Sequence, residues 1–114
     1  MGVSRRVIAV PRSLDAARRL DYGQANESDL VEEYVSDEEF RVLHTTGWLD
    51  EVNNSCDTLI DDYEDEKILS GPQLTHFLLI TQRFSVHYEH EVFAKIQRSA
   101  DLAQRFGTEV CFYF

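Results

Sequence analysis

Both ends of this chain have the pattern of β-strands, whereas most of the segments between them have helical patterns. Residues 6–10 form a short apolar run rich in β-branched side chains, and Pro11 stops it. Residues 109–114 form a second such run, which ends in three aromatic residues. Because a free terminus rarely holds three aromatic residues in a row, we expect this end to lie in a sheet. The two strands are therefore predicted to pair, directly or around a third strand, in a helix-dominated α+β fold.

Length and composition predict one domain over residues 1–114. A chain of this length with 43% hydrophobic residues can bury a core, and no repeat or low-complexity linker divides it. The longest apolar run, residues 77–80, is far too short for a membrane span. Two lone cysteines without CxxC spacing are typical of buried thiols in a reducing compartment. We expect a cytoplasmic protein without a membrane partner.

Four of the predicted helices have clear start or stop signals. Ser13 is placed to cap a helix, and Ser36 with Glu39 forms a capping box for a helix that ends near Gly47. Pro72 is tolerated in the first turn of a helix and predicts that one begins there. A further helix is predicted after about residue 86 by buried-stripe spacing and a terminal glycine, from the positions Val92, Phe93, Ile96, Ala100, Ala103, Phe106 and Gly107.

The strongest amphipathic pattern lies in residues 49–63. Its apolar positions recur at helical steps and predict one buried stripe, made by Leu49, Val52, Cys56, Leu59, Ile60 and Tyr63. The opposite side of the same predicted helix carries Asp50, Asp57, Asp61, Glu64 and Asp65. We expect this carboxylate face to point to solvent, without neutralisation by the chain's own arginines.

Residues 30–35 have an ambiguous pattern. Leu30, Val31, Tyr34 and Val35 recur at spacings that favour a short helix, and a strand over residues 31–35 stays open.

Negative charge is concentrated in one window. Residues 27–66 contain fifteen carboxylates against the single Arg41, a charge of about −14, while the rest of the chain carries about +4. Such an asymmetry bears on partners and association rates, and it predicts a basic partner rather than nucleic acid. The chain has one basic cluster, which consists of Arg5, Arg6, Arg12, Arg18 and Arg19. For this cluster, salt bridges or a solubilising role are favoured over contact with phosphate.

No pattern in the sequence indicates catalysis. Cys56 and Cys111 have no histidine at a nucleophile-activating spacing, and the glycines form no phosphate loop. His87, His90 and Glu91 are the best metal candidates, but their spacing differs from that of zinc proteases, and a polar helix start is favoured. We therefore expect no catalytic residue, no metal and no cofactor.

These observations favour a non-catalytic acidic protein that binds a basic partner, of the immunity or inhibitor type, whose target is a nuclease or toxin. Tyr63 and Trp48 are candidate aromatic anchors if their edges are exposed, and core packing is the alternative for both. Candidate binding residues are Asp50, Asp57, Asp61, Asp62, Glu64, Asp65, Tyr63 and Trp48.

Two other functions stay open. One is a DNA mimic of the anti-restriction type. The other is a small homo-oligomeric accessory protein, with a homodimer formed by pairing of residues 110–114 with their copy in a second chain.

Overall fold

The two ends of the chain meet in one antiparallel sheet. The structure, a computed structural model, describes residues 6–114. Its strands and α-helices are, in chain order, β1 Arg6–Pro11, α1 Leu14–Asp21, β2 Leu30–Val35, α2 Asp37–Thr45, α3 Trp48–Cys56, β3 Asp65–Ile68, α4 Pro72–Tyr88, α5 Glu91–Phe106 and β4 Val110–Tyr113. A short 3₁₀ turn, Glu27–Asp29, precedes β2. The helix-dominated α+β prediction is confirmed.

The strand order is β2-β1-β4-β3, and every neighbouring pair is antiparallel. β1 pairs directly with β4, with Ile8 opposite Phe112, which confirms that the terminal strands pair. β4 lies inside the sheet between β1 and β3, so both of its edges are already paired. The prediction of a homodimer through residues 110–114 was therefore wrong, because a paired strand has no free edge for a second copy.

One face of the sheet packs against the helices and forms the core. Ile8, Val10, Val110 and Phe112 alternate along β1 and β4 on this face, and all four are fully buried. This alternation follows from the two-residue period of a strand. The other face is partly covered by α1, from which Asp21 reaches Lys67 of β3.

Trp48 occupies the centre of this core. Its ring contacts those of Phe77 and Phe112, with centroids 5.6 Å and 6.4 Å away. Its indole Nε1 donates a hydrogen bond of 3.2 Å to the hydroxyl of Thr81, which satisfies the buried N–H group. Core packing was the alternative for Trp48, and Trp48 is withdrawn as a surface anchor because none of its side chain is exposed.

Residues 30–35 form a strand, so the favoured helix prediction was wrong and the open alternative was right. All six residues of β2 pair with β1, from Pro11 opposite Leu30 to Arg6 opposite Val35. Pairing with a distant strand overrides a local spacing that was compatible with both structures.

The helix predicted over residues 49–63 ends at Cys56, so its second half was wrong. Asp57 closes α3 in the left-handed region, at φ 57°. Leu49, Val52 and Cys56 form the predicted buried stripe, whereas Leu59 is 56% exposed. The continuous carboxylate helix face therefore does not exist. Its acids lie on a helix, a loop and a strand.

The predicted helix caps agree with the structure elsewhere, whereas the start predicted for the last helix, after about residue 86, was wrong, because α4 continues to Tyr88 and α5 begins at Glu91. The hydroxyl of Ser13 accepts a hydrogen bond from the Ala16 N–H, and Ser36 and Glu39 form a capping box at the start of α2. Gly107 ends α5 at φ 66°, a conformation that glycine adopts without strain. Of the helices in residues 6–114, none has both the length and the apolar content needed to cross a bilayer.

Candidate functional site

Most of the acids that were predicted to lie on one helix face lie in a loop. We use the name acidic loop for residues 57–64, which connect α3 to β3. It contains Asp57, Asp61, Asp62 and Glu64, and Asp65 follows it as the first residue of β3. Asp50 is exposed but lies on the first turn of α3, outside the loop. The structure thus brings together five of the six predicted carboxylates and leaves one apart.

Asn53 of α3 holds the first half of the acidic loop. Its side-chain Nδ2 donates to the carbonyl of Ile60 at 3.1 Å. Its Oδ1 accepts hydrogen bonds from the Ile60 N–H at 2.8 Å and from the Thr58 hydroxyl at 2.9 Å. Because one side chain satisfies three polar groups of a segment that lies outside any helix or strand, it defines the path of that segment.

The sheet holds the loop from the other side. Glu66 of β3 accepts a hydrogen bond of 2.8 Å from the Leu59 N–H. The Phe114 N–H donates to the Glu64 carbonyl at 3.3 Å, so the last residue of the chain fastens the end of the loop. Ile60 inserts between these attachments and is buried. The loop is therefore fixed by contacts at both ends and in the middle.

Arg6 of β1 also attaches to the loop. Its Nε donates to Asp62 at 2.8 Å, and a second nitrogen of the same guanidinium donates to Asp37 at the start of α2. The guanidinium lies over the ring of Phe40, 4.2 Å from its centroid. Burial lowers the pKa of Arg6, but the hydrogen bonds to the two aspartates outweigh it, and the pKa is raised.

Neutralisation of the loop is therefore partial, which corrects the expectation of an unneutralised face. Within residues 6–114, Asp62 has a cation partner, whereas no cation lies within ion-pair distance of Asp57, Asp61, Glu64 or Asp65. Lys67, the nearest cation along the chain, pairs with Asp21 and Glu109 instead.

Three of the four described members of the N-terminal basic cluster, Arg6, Arg18 and Arg19, pair with acids, as expected, whereas Arg12 has no ion pair within residues 6–114. Arg19 forms a two-point contact with Asp29, at 2.6 Å and 2.9 Å. Together with the Asn26 N–H, Arg19 lowers the pKa of Asp29 to about 2. Arg5, the first member of the cluster, lies outside the described residues.

Tyr63 is the most exposed large side chain of the acidic loop. It is 88% exposed, and its backbone has φ 63°, in the left-handed region. A residue with a side chain in this conformation is strained by about 1–2 kcal/mol. Outliers of this kind cluster at binding and catalytic sites. The two others among the non-glycine residues 6–114, Asp57 and Glu89, end helices, whereas Tyr63 lies within the loop. Leu59, which is 56% exposed, is a second large apolar side chain of the same loop.

The other chemical candidates have structural roles. Burial raises the pKa of both thiols, that of Cys111 to about 12 with a further contribution from Glu109, so neither is a thiolate at neutral pH. The Nδ1 of His90 caps α5 by accepting from the Val92 N–H. The described part of the chain contains no group of three or more His, Cys, Asp or Glu side chains placed to hold a metal ion.

Sequence reasoning missed Asn53, Arg6 and Leu59 as parts of the loop. A signal for Asn53 was present in the sequence, because residues 53–58 include two asparagines, a serine, an aspartate and a threonine, all typical of helix ends and turns. Arg6 gave no local signal, since its partner Asp62 is 56 residues away.

Comparisons of the chain with known protein families, proteins and structures found no match. No family model matches the chain, and neither a curated protein nor a solved structure matches it.

Proposed function

We propose that this chain is a non-catalytic protein that binds a basic protein partner through the acidic loop. The observation that carries the proposal is Tyr63, which is almost fully exposed in a strained conformation on a loop held by side-chain contacts. A tyrosine has a large contact area and loses little conformational entropy on binding, so it is suited to anchor an interface.

The charges of the loop support the same function. Asp57, Asp61, Glu64 and Asp65 are exposed and lack a cation partner within residues 6–114. Carboxylates placed in this way steer a basic partner and raise its association rate at low salt. Because Asn53 and Arg6 already hold the loop, binding has less conformational entropy to remove.

The partner class that fits best is a nuclease or a similar toxin, and the chain then acts as its immunity or inhibitor protein in the cytoplasm. An enzyme that binds phosphates exposes lysine and arginine, and the loop offers them carboxylates in place of phosphates. A DNA mimic is less favoured, because residues 67–88 contain no carboxylate, whereas a mimic of duplex DNA needs charge over most of its surface.

A capture experiment with a charge-matched control tests the proposal. Proteins retained from the native cell by the immobilised chain are identified, and the one retained most strongly is used in stopped-flow association measurements. Asp61→Lys with Asp65→Lys should slow association at least about tenfold at low salt and reduce its salt dependence. Glu32→Lys with Asp101→Lys changes net charge equally on β2 and α5, and should slow association less than about threefold.

Three outcomes would contradict the proposal. Equal slowing by both double variants would show that net charge matters and the loop does not. Retention of only acidic or neutral proteins would contradict the proposal that the partner is basic. Competition by duplex DNA for a retained DNA-binding protein would favour the DNA mimic instead.

A further inference from the structure

The outward side of α4 exposes two further large apolar side chains, and its charge differs from that of the acidic loop. We define the α4 outer face as Leu79, Gln82, Arg83, Val86 and His87, which line a surface cavity of about 620 Å³. Leu79 is 62% exposed and Val86 is 75% exposed. The face lies in the segment 67–88, which has no carboxylate in a chain whose net charge is −10.

The face continues into a groove towards α3. A second cavity of about 230 Å³ shares Arg83 and His87 with the first and adds Glu51, Phe84 and Tyr88 to its lining. Arg83 forms an ion pair with Glu51, so the one carboxylate of the groove is already matched by a cation. The result is a shallow surface on which apolar side chains alternate with polar ones, and which is close to neutral.

We propose that the α4 outer face is the contact surface of a homodimer, in which two α4 helices cross antiparallel at a two-fold axis. Two copies with a net charge of −10 each repel one another, and their approach costs least where neither presents unpaired carboxylates. The charge of the face therefore favours self-association here over association at the acidic loop.

The spacing of the face is self-complementary. Leu79 and Val86 are seven residues apart on one side of the helix, about 10 Å along its axis, and Gln82 and Arg83 lie midway between them. An antiparallel two-fold axis through this midpoint places Leu79 of each copy on Val86 of the other. The Arg83–Glu51 pair offers both signs of charge beside the axis, so the four charges of two copies can pair across the interface as well as within each copy.

The size of the face predicts a weak dimer. α4 has 17 residues and is therefore about 25 Å long. Contact along one helix covers less than the roughly 800 Å² per partner of a standard stable interface. We therefore expect a dissociation constant in the range of tens to hundreds of micromolar, with about −5 to −6 kcal/mol of binding free energy.

Sedimentation velocity on the full chain tests this proposal. The dimer fraction should rise with protein concentration up to about 500 µM, and about 0.3 M salt should increase it by screening the mutual repulsion. Leu79→Asp and Val86→Asp should each weaken association at least about tenfold. Leu14→Asp is the matched control, because Leu14 is 68% exposed on α1 and the charge change is the same. It should weaken association less than about threefold.

A cross-linking variant reports the geometry without removing an apolar contact. Gln82→Cys lies next to the two-fold axis and should form a disulfide-linked dimer under mild oxidation, while Thr75→Cys, two turns away, should not. A wild-type chain that stays monomeric at about 500 µM overturns the proposal. So does a dimer that Gln82→Cys fails to link, or one that Leu14→Asp weakens as much as Leu79→Asp does.

Discussion

The acidic loop and the α4 outer face both expose apolar side chains, but different contacts hold them. The loop has no regular backbone pairing over most of its length and depends on side chains, chiefly Asn53 and Arg6. The α4 outer face belongs to a helix whose opposite stripe is buried in the core, through Leu74, Phe77, Ile80, Thr81 and Phe84. The loop is thus held by a few polar groups and one buried side chain, that of Ile60, whereas the helix is held by burial of a whole apolar stripe.

This difference shows two ways to present a binding surface. A surface on a buried-stripe helix is positioned by the core and is lost only when the domain unfolds. A surface on a loop requires polar contacts of its own, and those contacts can open locally while the rest of the fold persists. Substitutions under each surface should therefore affect stability on different scales.

Phe77→Ala is expected to have the largest effect. Phe77 is fully buried under α4, and its ring contacts those of Trp48 and Phe112. Loss of this side chain should lower the free energy of unfolding by about 3–5 kcal/mol, measured by urea denaturation. Leu79→Ala, two residues away on the outer face, should change it by less than about 0.5 kcal/mol. A similar loss of unfolding free energy in both variants would mean that the outer side of α4 supports the fold as much as its buried side does.

Asn53→Ala should destabilise less and act on the loop. It removes three hydrogen bonds and leaves polar groups of Ile60 unsatisfied, which should cost about 2 kcal/mol. Hydrogen exchange at the Ile60 amide should accelerate more than exchange in α5. Asn54 is exposed, so Asn54→Ala is the matched control and should change neither quantity appreciably. Unchanged exchange at Ile60 in the Asn53 variant would count against its role as the attachment.

Tyr63→Gly should stabilise the fold slightly. Glycine adopts φ 63° without strain, and this gain exceeds the entropy that it loses on folding, so the free energy of unfolding should rise by about 0.5 kcal/mol. Thermal denaturation measures the change. Tyr22→Gly is the control, because Tyr22 is also exposed but has φ −96°, and it should bring no gain. A loss of stability in the Tyr63 variant would show that its side chain supports the fold.

Asp29→Asn should have an effect that depends on pH. Asp29 pairs with Arg19, and its pKa of about 2 lies below the ordinary value, so its stabilising contribution is present above about pH 4. It is lost as pH falls through about 2. The difference in denaturation midpoint between wild type and variant should shrink as pH is lowered from about 5 towards 2. A difference that stays constant over this range would assign the effect to hydrogen bonding alone.

Several features of the fold followed from local sequence patterns. The caps at Ser13, Ser36 and Gly107, and the buried stripe of α5, depend on residues within one or two turns of each other. The terminal strands were recognisable because each is a short run rich in β-branched or aromatic residues, a pattern typical of a buried strand, and the two runs pair in the structure. The concentration of carboxylates in residues 27–66 was likewise plain from the residues alone.

Contacts between distant residues set the rest. β2 is a strand because β1 pairs with it, and α3 ends where Asn53 binds Ile60 and β3 pairs with β4. The loop owes its position to Arg6 and Phe114, one at each end of the described chain. A local spacing such as that of Leu59 and Tyr63 is the same whether the segment continues as a helix or turns into a sheet. Which of the two structures forms depends on contacts with distant residues, and the local spacing does not specify those contacts.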